Sequence, residues 1–313
     1  MKAIQKLASL GVLCLCICSA FAQAPIKRAG ASYKVDCTQP GQTIQAAINA
    51  IVNGPTGGRA TIDIYGICIE NVAIQYVDRV VLVGHNGATI QDASNNTNNV
   101  VTIADSTYID LQNLTLNGGT IGVACIEMSI CRMENDTVQG ASSAGLHIAR
   151  SNALLNSNLF LNNHIGINVQ NGSVLLSSSD TVNSNDVGVT VLGANYTATP
   201  GVIQNNKGNG IRAFNNATMR LADMTITGNG NNGISLESAS TVTFNDGTGT
   251  TISGNGGHGM RMLDLTNAVF SGLDTISGNT GQPDLYCAGN YWVANNIANI
   301  GGTTNCNPGA KQK

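Results

Sequence analysis

The sequence predicts an all-β fold: a single-stranded right-handed parallel β-helix, a solenoid of about ten coils, with an N-terminal amphipathic cap helix. Three observations carry this reading. A glycine followed by an apolar-polar-apolar triplet recurs at Gly122, Gly145, Gly166, Gly188, Gly210, Gly233 and Gly259, with spacings of 23, 21, 22, 22, 23 and 26 residues. The first and third triplet positions are all apolar or cysteine, from Val123 and Cys125 through Val189 and Val191 to Met260 and Met262. A row of asparagines, Asn163, Asn185, Asn206, Asn229, Asn255 and Asn279, keeps the same period.

Alternation at period two places the first and third residues of each triplet on one strand face and the middle residue on the other. One unit of about 22 residues cannot bury its own apolar face, whereas stacked units form a continuous core. The asparagines fit turns, where stacked amides hydrogen-bond to one another and to backbone along a column. Hexapeptide and leucine-rich repeat patterns are absent, and the density of Gly and Asn excludes long helices.

The elements follow in chain order. Lys2 and Lys6, the apolar run from Leu7 to Cys18 and the small-x-small Ala20-Phe21-Ala22 describe a signal peptide over 1–22, cut near Ala22. The expected product is secreted or periplasmic, and no later segment is long and apolar enough to span a bilayer. Residues 23–36 read as a linker. Thr43 to Val52 predicts the cap helix, with Ile44, Ala47, Ile48 and Ile51 on one stripe, Pro40-Gly41 ahead of it and Asn53-Gly54-Pro55 stopping it. The β-helix with its cap is expected over 37–280. From Asp284 the glycine repeat is lost, so 281–313 reads as a C-terminal cap and tail.

Composition narrows the partners. Only 11% of residues are charged, against about a quarter in ordinary domains, and the formal charge of −3 becomes −5 without Lys2 and Lys6. Nucleic acid is therefore not an expected partner. Six cysteines follow the signal peptide, an even count that suits disulfides in an exported chain. Local pairing predicts Cys37–Cys68 and Cys287–Cys306; for Cys125 and Cys131 a bridge and a buried thiol at inward-facing Cys125 both stand. No CxxC occurs and the histidines are scattered, so no zinc site is implied.

Thr43-Ile-Gln-Ala-Ala-Ile-Asn-Ala-Ile51, Ala60-Thr-Ile-Asp-Ile-Tyr-Gly66, Glu70-Asn-Val72 and Val80-Val-Leu-Val-Gly84 resemble the opening of pectin-lyase-like β-helix proteins. The later Gly-Ile-x-Val coils are similar to the repeats of that superfamily, nearest to bacterial secreted β-helix proteins of unassigned function. The resemblance implies a polysaccharide partner, with the protein glycan-binding or structural; the alternative is a lyase or hydrolase acting on an acidic, uronate-containing polysaccharide. Its enzyme motifs do not transfer. Gly257-His258-Gly259 matches a polygalacturonase element, but the aspartate motifs and the Arg-x-Lys that accompany it are missing. No dense acidic cluster of the kind that holds calcium in pectate lyases is present, so no cofactor is implied. The candidate glycan-contact face is the outward row His147, Asn168, Thr190, Arg212, Ser235 and Arg261, with Glu237 and Asp264 beside it. Arg212, Glu237 and Arg261 suit a uronate carboxylate, but an ordinary salt-bridged ladder of exposed charge pairs is the commoner arrangement of such residues.

Overall fold

The structure, a computed structural model, describes residues 27–28, 31–54, 58–245, 247–294 and 297–307. The predicted signal peptide lies outside them. The repeat folds as expected: a right-handed parallel β-helix whose coils each contain three short strands. Ala144–Ala149, Asn152–Asn156 and Leu159–Leu161 make one coil, and Ile165–Gln170 opens the next. The triplet strands stack into a ten-stranded parallel sheet running from Val72–Gln75 to Leu285–Ala288, here the first sheet. The other two strand rows form the remaining walls. They merge near the N-terminus, where the long strands Ala60–Ile69 and Val80–Gln91 run across the corner between them.

Register explains the repeat. Leu146, Ile167, Val189 and Ile211 are direct partners in successive coils, as are Ile148, Val169, Val191 and Ala213, and all are buried. The preceding glycine is forced by stacking. A Cβ on Gly188 would lie 2.4 Å from the Gly210 carbonyl oxygen of the next coil and 2.9 Å from the Asn206 amide nitrogen. Each turn of the coil opens on a residue in the left-handed region, such as Arg150, Ser157 and Asn162 at φ 53°, 59° and 55°.

Three polar columns seal the three turns. Ser106, Ser129, Ser151 and Ser173 occupy the first, each hydroxyl facing a backbone N–H one coil earlier. Asp136, Asn158 and Asp180 occupy the second. The predicted asparagines occupy the third. From Asn185 on the Oδ1 accepts the backbone N–H of the preceding member, Asn163 accepts that of Ala141, and each side-chain amide donates to a strand carbonyl, as Asn206 does to Val182. All six are buried, so this column supplies turn backbone that water cannot reach.

Both ends are closed. Ile44–Asn53 is the cap helix; Thr43 accepts from the Ala46 N–H, and Ile44, Ala47, Ile48 and Ile51 are its buried residues, as the stripe predicts. Glu70 adds a second cap, its two oxygens accepting the Ile44 and Gln45 N–H groups at 2.8 and 3.0 Å. Cys37–Cys68, Cys125–Cys131 and Cys287–Cys306 are all bridged, which fits an oxidising, extracellular compartment. Among the described residues no helix is long and apolar enough to cross a membrane.

Two boundaries differ from the sequence reading. Ser32–Asp36, in the expected linker, is a strand paired in parallel with Thr61–Tyr65. At the other end Leu285–Ala288 completes the first sheet, and Tyr291–Ala294 extends a neighbouring wall. Neither carries the glycine that marks the repeat.

Candidate functional site

The first sheet places the predicted row in one column. Its middle positions are direct register partners: Ala124, His147, Asn168, Thr190, Arg212, Ser235 and Arg261, with Tyr286 as the rung after Arg261. Arg212 and Arg261 therefore stand two coils apart, about 9.6 Å by strand spacing.

The rungs differ in character. His147 is not a free cation. Its ring nitrogens lie 3.3 and 3.1 Å from the Asn168 and Gln170 side-chain amides, and burial holds its pKa below the ordinary value. Arg212 makes the expected ion pair with Glu237 at 3.2 Å and lies 4.7 Å from the centroid of Phe214. Ser235, a short side chain between two arginines, is buried and donates to the other Glu237 oxygen. Arg261 has no ion-pair partner among the described residues. Asp264 sits beyond the strand in a left-handed turn at φ 51° and is exposed, unpaired with Arg261.

Tyr286 completes the row and was not legible as a member of it. Its ring stacks on His258, with centroids 4.6 Å apart and planes 10° from parallel. The His258 Nδ1 donates to the Pro283 carbonyl at 2.8 Å, so this histidine is held against an aromatic ring and backbone. The apolar-outward-apolar order of Leu285-Tyr286-Cys287 is the triplet pattern without its glycine, and is the signal that could have found it. The resulting face is a flat ladder bearing one paired and one unpaired guanidinium, with aromatic rings from Phe214 and Tyr286.

No protein-family model matches the chain, and no curated protein matches it in sequence. Solved structures do. One is pectate lyase Pel9A, with a TM-score of 0.60 and 11% identity over 84% of this chain and 79% of that one. Another is the A-module of the Azotobacter vinelandii mannuronan C-5 epimerase AlgE4, with a TM-score of 0.52 and 16% identity over 80% of this chain and 88% of that one. The fold is the parallel β-helix of the pectate-lyase type. At such identities the likeness is one of fold, and the function has to be argued from the side chains.

Proposed function

We propose that this is an exported protein, released by cleavage near Ala22, that binds an acidic, uronate-bearing polysaccharide along the outer face of the first sheet. The observation that carries the reading is the Arg212–Ser235–Arg261–Tyr286 ladder, in which Arg261 has no carboxylate partner among the described residues. Guanidinium groups take carboxylates through paired hydrogen bonds. Arginines about 9.6 Å apart reach different sugars of one extended chain. Phe214 and Tyr286 offer flat apolar surface to sugar faces, and Glu237 is placed to orient Arg212 or to accept a hydroxyl. Both solved neighbours are named for acidic polysaccharides, pectate and mannuronan, which agrees with this partner. His147 and Asp264 flank the ladder as further contacts. The reading is one of binding: His258 faces a backbone carbonyl and Glu237 is engaged by Arg212 and Ser235, so neither of these two stands free as a general acid or base.

The test is the Arg212→Ala/Arg261→Ala double variant, titrated with polygalacturonate beside the unaltered protein. Affinity is expected to fall at least about tenfold, the equivalent of roughly 1.4 kcal/mol, with the thermal midpoint lowered by no more than a few degrees. Binding equal to that of the unaltered protein removes this face from consideration.

A further inference from the structure

The third strand of each coil builds a wall unlike the other two. Nine three-residue segments stack in register without a slip, from Thr89–Gln91 to Thr275–Ser277. The middle residue of each, from Ile90 to Ile276, is buried, so the first and third face outward. The first position is threonine in seven of the nine, the exceptions being Leu159 and Val202. The third is Gln, Asn, Ser or Thr except at Leu161. None of these outward side chains is charged. The neighbouring wall carries Asp110, Arg132, Glu134 and Arg220 at its outward positions over the same coils, and the first sheet carries Arg212 and Arg261.

Strand propensity explains threonine on an outward face, but not the exclusion of charge from a whole wall. Each threonine presents a methyl and a hydroxyl side by side. Of the seven hydroxyls only that of Thr89 bonds within the protein, to the Gly87 carbonyl at 3.3 Å; the other six have no protein partner among the described residues. The array recurs at the strand spacing of about 4.8 Å over about 38 Å of solenoid, with the third-position groups about 6.6 Å to the side. Hexagonal ice repeats along its a axis within a few tenths of an ångström of the strand spacing, and along its c axis at somewhat more than the two-residue step. A row of methyls limits the orientations open to first-shell water, and hydroxyls anchor that water by donating and accepting. A charged side chain would hold a hydration shell of its own, out of step with such a lattice.

We propose that this wall binds ice: its threonine array orders water into a lattice that merges with the surface of a growing crystal. An uncharged face with evenly spaced, unpartnered hydroxyls suits an uncharged, periodic occupant, whereas an acidic glycan would need cations there. The wall shares no residue with the first-sheet ladder, so it stands or falls independently of that reading.

Ice growth is followed in supercooled solutions of the unaltered chain, T225K/T251K and T218K/T241K. The readouts are the gap between melting and freezing points, crystal shape and the rate of recrystallisation. Thr225 and Thr251 are exposed register partners on the proposed wall, and Thr218 and Thr241 are register partners on the outward side of the neighbouring wall in the same two coils. The unaltered chain is expected to open a gap, facet the crystals and slow their coarsening. T225K/T251K should lose all three while keeping its circular dichroism and melting within a few degrees of the unaltered chain, because exposed substitutions cost the fold little. T218K/T241K, with the same added charge, should behave as the unaltered chain. An unaltered chain that leaves ice growth as buffer does overturns the proposal, as does activity that survives T225K/T251K or is lost equally in T218K/T241K. A dimer in sedimentation that T225K/T251K dissociates, with no effect on ice, would assign the wall to a second copy instead.

Discussion

Two columns inside this solenoid meet the same requirement with different chemistry. The asparagine column takes a buried backbone N–H on every Oδ1 and places every amide nitrogen on a strand carbonyl and on the next Oδ1, for example at 3.3 and 2.8 Å from Asn206. It ends on Asp284, where the acceptor is a carboxylate. Burial pushes that group up, but the N–H groups of Thr303 and Asn279 outweigh burial and hold it below the usual range. The second-turn column interrupts the asparagines with Asp136 and Asp180. Asp136 accepts the Leu114 N–H at 2.8 Å on one oxygen, while the other is buried without a partner. Burial, helped by the nearby Glu134 charge, pushes its pKa up to about 7 against the Leu114 and Glu134 N–H contacts that lower it. An amide both donates and accepts, so it can repeat without limit down a column. A carboxylate only accepts, so it is at ease at an end and costly in the middle.

The largest expected effect comes from breaking the asparagine column at its centre. Asn206→Ala removes the acceptor of the Asn185 N–H and amide, and the donor to Val182, all away from water. Leaving buried donors unsatisfied costs about 1–3 kcal/mol each, so a loss of roughly 3–5 kcal/mol is expected in urea unfolding. A loss under about 1 kcal/mol would mean that water or neighbouring groups replace the amide.

Asp136→Asn runs the comparison the other way and should stabilise the protein. By analogy with Asn158, which donates to the Met133 carbonyl at 3.1 Å, the new amide would reach the Leu111 carbonyl one coil earlier. The sign follows from linkage. The folded pKa of about 7 lies above the ordinary 3.8, so the unfolded state releases this proton first as pH rises. Stability from the protonated form is fully present below about pH 4 and is lost as pH climbs through about 7. The variant should match the unaltered protein most closely near pH 4 and exceed it by about 2–4 kcal/mol at pH 8. A stability difference that does not change with pH would show that Asp136 is not the group being titrated.

The same columns explain what could be read in the sequence. Close stacking forces glycine ahead of each triplet, and burial forces the alternation after it, so the coils from Gly122 to Gly259 are written in residue types. The asparagines and the helix stripe were legible for the same reason: one residue type solves the local problem repeatedly. The last coil was missed because the problem changes there. Asp284 occupies the position that glycine holds in earlier coils, and its carboxylate instead caps Asn279 and accepts from Thr303, which hides Tyr286 from the pattern.

The smallest expected effect belongs to the outside of the same coils, and it sharpens the contrast with the columns within. Arg212 is an exposed partner of Glu237 and lies beside Phe214, whereas Arg261 has no acid partner among the described residues. Exposed pairs contribute about 0–1 kcal/mol, so Arg212→Ala should cost no more than that, and Arg261→Ala less than about 0.5 kcal/mol. Raising salt should reduce the first cost, because a Debye length near 8 Å at physiological ionic strength already screens such contacts, and leave the second unmoved. A double-mutant cycle of Arg212→Ala with Glu237→Gln isolates the pair itself. If the cycle returned several kcal/mol, or if Arg261→Ala destabilised the chain on the scale of Asn206→Ala, the ladder would be a structural element like the columns inside. Free guanidinium capacity at little stability cost is what a binding face needs, and Arg261 is the rung where that condition is most nearly met.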